Sequence, residues 1–174
     1  MMFAHRLKLS LAGLLCGLTL PVHALCTGCT LTVTKEMSSD LRFGRLVVIS
    51  PGTLTIDPQT GARSGTANVV TPASLSSSTG PAAFRVACVG LGSLSYQVAV
   101  VSSPNLLNTA SGAMPIGNFT TFPAASLERQ VSSCQGYSEI VNVGATLTVG
   151  ASQPAGGYTS VSDVVLEVRI TANR

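Results

Sequence analysis

Cys26 and Cys29, in "CTGC", are the first residues whose type and spacing could do chemistry. A Cys-x-x-Cys pair works as a redox couple when a helix starts at its first cysteine and lowers that thiol's pKa. Here the pair runs straight into "TLTVT", a strand pattern, so crosslinking is the expected use. Zinc would need a second pair at matching spacing or histidine ligands. Cys88 and Cys134 stand singly, and both histidines, His5 and His23, lie near the N-terminus in a stretch that reads as a leader. Without them, Ser-His-Asp and Cys-His nucleophiles and imidazole metal ligation fall away. The acids beyond that stretch, Glu36, Asp40, Asp57, Glu128, Glu139, Asp163 and Glu167, are scattered. A glycosidase would need two of them to converge, whereas Asp57 sits in the turn "IDPQTG" and Glu167 alternates with apolar neighbours. With no Trp and 3 Tyr there is little to stack on sugars or bases. The expectation is no enzyme, no catalytic residue, no cofactor and no metal.

Residues 1–24, "MMFAHRLKLSLAGLLCGLTLPVHA", carry His5, Arg6 and Lys8 ahead of a leucine-rich run and end Val-His-Ala. That is the layout of a secretory signal cleaved after Ala24. Its apolar run is shorter than the ~18 residues of a membrane span. Large leucines directly before Cys16 and Cys26 argue against lipidation at either. Residues 25–174 are then expected to form one exported domain without a transmembrane span. The 10 basic and 7 acidic residues give a formal charge of +3. Arg6 and Lys8 leave with the signal, so the exported chain is close to neutral and has no electrostatic case for nucleic acid. Cys26, Cys29, Cys88 and Cys134 remain as an even set in an oxidising compartment, implying two disulfides of three possible connectivities. The preferred expectation has Cys26 and Cys29 each reaching across to Cys88 or Cys134.

The elements that must hold these residues read as strands. Apolar residues recur at every second position, with turn residues between short runs, and no long amphipathic helix is visible. "TLTVT" sets Leu31 and Val33 on one face, and "FGRLVVIS" is a second strand. "GTLTIDPQTGARSGTANVV" reads as a hairpin: Asp57 starts the turn, Pro58 presets φ and Gly61 leaves it. Phe84, Val86 and Cys88 share a face, as do Tyr96, Val98 and Val100. "MPIGNFTTF" carries Phe119, assigned to the core, and Phe122. The last run aligns Val164, Leu166, Val168 and Ile170 against Val165, Glu167 and Arg169. About eight short strands at this spacing predict an antiparallel β-sandwich. Asn118-Phe119-Thr120 has the form of an N-glycosylation acceptor, relevant only in a eukaryotic secretory route.

Five motifs in order, Leu41-x-Phe43-Gly44, Ile56-Asp57-Pro58-x-x-Gly61, Asn118-Phe119, Gly144-x-x-Leu147-x-Val149 and Gly157-Tyr158-Thr159, resemble the bacterial family catalogued as domain of unknown function 4402. The resemblance spans nearly all of residues 25–174. It implies kinship with spore-coat-U-like and fimbrial subunits of chaperone–usher systems, with an immunoglobulin-like, pilin-like sandwich and a place in the periplasm or at the cell surface. Partners would be like subunits, a periplasmic chaperone and an outer-membrane usher. The family offers no catalytic or binding residue to carry over. Two departures stand out: only Leu25 precedes Cys26 where a donor arm is expected, and the C-terminal "ITANR" lacks an aromatic.

Tyr158 follows the turn Pro154 to Gly157 and is expected to open the closing strand. Its ring would wedge into the core edge while its hydroxyl bonds backbone across the corner. The expected function is an exported structural or adhesive subunit acting through strand pairing. The alternative is a self-contained module binding glycans or surface ligands through the loops Ser74 to Gly80 and Asn105 to Gly112.

Overall fold

Alternation of inward and outward residues shapes much of the chain, and the computed structural model turns it into thirteen strands and no helix among the described residues. These are residues 29–37, 39–70, 79–102, 106–108, 112–154, 158–160 and 164–173. The expected signal, Cys26, Gly157, Asp163 and most of the two candidate ligand loops lie outside them. No helix among the described residues is long and apolar enough to cross a membrane.

In order, the strands are β1 (Thr30–Lys35), β2 (Val47–Ser50), β3 (Gly52–Ile56), β4 (Arg63–Gly65), β5 (Asn68–Val70), β6 (Ala82–Val89) and β7 (Leu94–Ser102). They continue with β8 (Leu106–Asn108), β9 (Ala113–Phe122), β10 (Arg129–Val131), β11 (Ser138–Val149), β12 (Thr159–Ser160) and β13 (Val165–Asn173). All pairings are antiparallel, so each strand can bury one face and leave the other to water. The main sheet runs β1-β6-β11-β9-β8-β12, with β3 on β11 and β4 on β3. A second sheet runs β10-β7-β13, and β2 pairs with β5 in a separate ribbon.

The twelve-residue β11 organises the molecule. Its first half pairs with β6 and its second half with β3, while β9 follows its other edge. Its inward residues therefore feed two cores. Val141 and Val143 join Phe84, Val86, Tyr96, Val98 and Leu166 in a first core closed by both large sheets. Ala145, Leu147 and Val149 join Phe43, Leu54, Ile56, Met114 and Ile116 in a second core, against which Leu46, Val48 and Val69 of the ribbon region pack.

The cores meet at an irregularity. Between Gly117 and Thr120, β9 spends one residue more than β11 spends between Gly144 and Thr146. Asn118 takes a left-handed φ of 49°, a conformation Asn tolerates through its short polar side chain. The bulge re-aims Phe119, whose ring packs against both cores. On the facing strand Gly144 is required by contact, since a Cβ there would lie 2.1 Å from the Ile56 carbonyl oxygen.

Candidate functional site

The cysteines come first. Cys88 and Cys134 are buried and bonded to each other, S–S 2.05 Å, joining β6 to the loop between β10 and β11. This overturns the expectation that each would reach a cysteine of the N-terminal pair. The reason is local: Cys134 N donates to the Gly92 carbonyl, and Cys88 N donates to the Tyr137 carbonyl. Backbone pairing thus folds the β10–β11 loop onto the β6–β7 turn and brings the two sulfurs together. Cys29, packed against the first core, is also disulfide-bonded, to a residue outside the described ones.

Beside this crosslink lies a polar cluster with little trace in the sequence. Arg129 is buried, 6% exposed, and its Nε lies 2.8 Å from Glu139 Oε2. That contact is Coulombic, because the N–H is not aimed well enough for a hydrogen bond. Its other nitrogens donate to the Leu127 and Pro123 carbonyls at 3.0 and 2.9 Å. The Tyr96 hydroxyl donates to Glu139 Oε2 at 2.6 Å, and Tyr137, 2.9 Å from the Tyr96 oxygen, completes the group. The guanidinium also stands 5.8 Å from the Tyr96 ring centroid, within cation–π range. Burial pushes the Tyr96 hydroxyl well above its ordinary pKa, and its hydrogen bond to the Glu139 carboxylate adds to the effect. Burial likewise raises Tyr137. The one signal available in the sequence was phase: Arg129 shares the inward parity of Val131 on β10. The arrangement holds a charge pair in the core.

Four of the other acids also have partners. Glu36 pairs with Arg85 at 2.6 Å, and Asp40 pairs with Lys35, which lowers the Asp40 pKa. Glu128 accepts from the Thr171 hydroxyl. Asp57 Oδ1 accepts from the backbone N–H of Gln59 and Thr60 and from the Thr60 hydroxyl, at 2.9, 2.7 and 3.0 Å. These bonds, with those from Thr60 foremost, hold its carboxyl below the usual carboxylate range. Among the described residues no three His, Cys, Asp or Glu gather as a metal site.

The other singled-out residues converge on the second core. Phe43 is buried there, and its carbonyl accepts from Arg63 at 2.9 Å. Gly44 and Gly61 have φ of 79° and 69°, conformations that exclude most side chains. Gly61 N donates to the Asp57 carbonyl, closing the β3–β4 turn, while Pro58 sits over Gly144. The Tyr158 ring packs on the same core, its hydroxyl donating to the Pro154 carbonyl at 2.8 Å and accepting from Gln153 Nε2 at 2.7 Å. Tyr158 precedes β12 in the main sheet, so it does not open the closing strand β13. Phe122 lies outward and is 41% exposed, opposite Asn142 on the outer face.

Among the described residues, the longest edge left open is that of β13. β13 pairs along its length with β7 and, among the described residues, has no ladder on its other side. β1 approaches it to within 8 Å between Cα atoms but pairs only with β6. Outside the β7–β13 face runs a shallow depression lined by Gln97, Ala99, Val101, Glu167 and Arg169. Val101 and Val165 are about half exposed there, at 54% and 46%. The other strands paired on one side only are shorter than the nine-residue β13: β1 has six residues, and β2, β4, β5, β10 and β12 have two to four.

These features define an all-β, disulfide-bonded chain of antiparallel sheets enclosing two cores. Within that class it belongs to the family described as domain of unknown function DUF4402, whose model matches residues 31–168. No curated protein and no solved structure matches it significantly.

Proposed function

We propose that this chain is an exported, pilin-like structural or adhesive subunit of a bacterial cell surface, working through strand pairing and without catalysis. The observation that carries the reading is the free edge of β13, nine residues long and unpaired on one side among the described residues. An unprotected edge is a template for another strand, and proteins that do not use one usually cover or shorten it. The Cys88–Cys134 crosslink fits an oxidising compartment. The leucine-rich leader fits export, and the partners would be like subunits with a periplasmic chaperone and an outer-membrane usher. The immunoglobulin-like kinship belongs to this reading, supported by two sheets facing across the first core.

The test is association. Protein recovered from cells should lie outside the cytoplasm, with its disulfides formed, and bind added peptides of alternating apolar sequence. Material that stays monomeric at high concentration and ignores such peptides overturns the reading.

A further inference from the structure

The regular part of β13 carries a symmetric pattern. Register shifts at Val165/Leu166 and Ile170/Ala172 bracket the run Leu166 to Ile170, which pairs with β7 without interruption. Val168 is its midpoint. Glu167 and Arg169 flank it, both exposed on the outer face, while Leu166 on the inner face is buried.

A second β13 laid antiparallel on the free edge, centred on Val168, sets Glu167 opposite the second copy's Arg169, and Arg169 opposite its Glu167. Directly opposed unlike charges stabilise a sheet pair, and like charges destabilise it. Neighbouring registers fail this test. Centring on Glu167 opposes two glutamates, and centring on Arg169 opposes two arginines. A slip of one residue sets the outward residues of one strand against the inward residues of the other. In a parallel in-register pair, like charges lie alongside each other. The charge order thus selects one antiparallel register and rejects its neighbours.

We propose that the partner at the β13 edge is a second copy of this chain, paired through β13 about Val168 in a two-fold symmetric dimer that joins two three-stranded sheets into one. This rests on the strand-pairing reading above and names its partner.

The experiment is sedimentation equilibrium on the disulfide-intact protein, with Glu167→Arg, Arg169→Glu and the double variant Glu167→Arg/Arg169→Glu. Both charges lie on the surface, so thermal midpoints should stay near wild type and serve as the folding control. Each single reversal should weaken the dimer on the order of tenfold, by replacing two attractive pairs with two repulsive ones. The double variant should recover wild-type affinity, and the two single variants should dimerise when mixed with each other. Wild type that dimerises while all variants behave alike overturns the Val168 register yet leaves edge pairing standing. Wild type that is monomeric but still takes up alternating peptides overturns the second copy as partner. Monomers that also refuse peptide overturn this inference and the parent reading together.

Discussion

The two cores are held by different means. The first is closed by two sheets and secured by the Cys88–Cys134 disulfide and the buried Arg129–Glu139 pair. The second, among the described residues, has no crosslink of either kind and depends on close backbone approach at Gly144, the turn at Asp57 to Gly61 and the bulge at Asn118. The residues on which the sequence resemblance rested, Phe43, Ile56, Leu147, Val149, Phe119 and Tyr158, pack in or against the second core. Chemistry-bearing residues, the cysteines and the buried arginine, gather at the first core, where they serve as fasteners.

The largest effect should come from breaking the first core's crosslink. Cys88 and Cys134 are separated by 46 residues, and closing a loop of that size in the unfolded chain corresponds to about 4 kcal/mol in the chain-entropy model. Urea unfolding of Cys88→Ala/Cys134→Ala should show a loss of that order. Hydrogen exchange should rise first around the β10–β11 loop, with Leu147 and Val149 protected until global unfolding. Equal early exchange in both cores would show them to be one cooperative unit.

Next in size is a change in the second core with no counterpart in the first. Gly144→Ala places a Cβ 2.1 Å from the Ile56 carbonyl oxygen and 3.0 Å from Pro58. Strands β3 and β11 must part to admit it, and overpacking of this kind costs up to about 3 kcal/mol. Calorimetry checks the size, and retained Cys88–Cys134 bonding in a destabilised variant would show that the first core survives alone. Unchanged stability would mean the contact relaxes freely, and the contrast between the cores would lose its sharpest element.

The contrast also explains what could be read from the sequence. Inward parity alone placed Phe84, Val86, Cys88, Tyr96, Val98 and Leu166, all of which are buried. The hairpin at Asp57 was legible because Asp, Pro and Gly each have a distinct torsional role in a turn. Disulfide pairing was not legible, since it depends on two backbone hydrogen bonds between a loop and a turn distant in sequence. Ile170 continues the inward parity of β13 yet is 40% exposed, because the register shift beyond it ends the regular ladder. The polar cluster escaped because four residues from three strands and a loop meet only after both sheets have packed. The open edge was legible only as a long alternating strand, and its lack of a partner among the described residues is a property of topology.

A smaller effect should appear at high pH, again in the first core. The buried Tyr96 hydroxyl ionises less readily when folded than its ordinary value of 10.0. Above about pH 10 the unfolded chain therefore loses a proton that the folded chain keeps, so stability, complete below that pH, falls as pH rises. Tyr96→Phe should lose about 2 kcal/mol near pH 8, the scale of a hydrogen bond to a charged group. It should then decline less steeply above pH 10, with the remaining slope due to Tyr137. Denaturation at pH 8 and at pH 11 checks both signs, and an unchanged alkaline slope would remove Tyr96 from the cluster's energetics.

The smallest effect separates ring from hydroxyl at the second core. Tyr158→Phe keeps the packing and removes the bonds to the Pro154 carbonyl and Gln153. Pro154 is exposed and Gln153 half-buried, so water can replace much of what is lost, leaving about 1 kcal/mol. Tyr158→Ala also removes the ring, and deleting a fully buried large aromatic costs about 3–5 kcal/mol. Because this ring is only half-buried, the lower end of that range applies. If Phe and Ala variants melt together, the hydroxyl holds the corner and the ring contributes nothing to the core. If Ala is clearly worse and Phe nearly native, the second core extends to the β12 corner and the tyrosine is part of its packing.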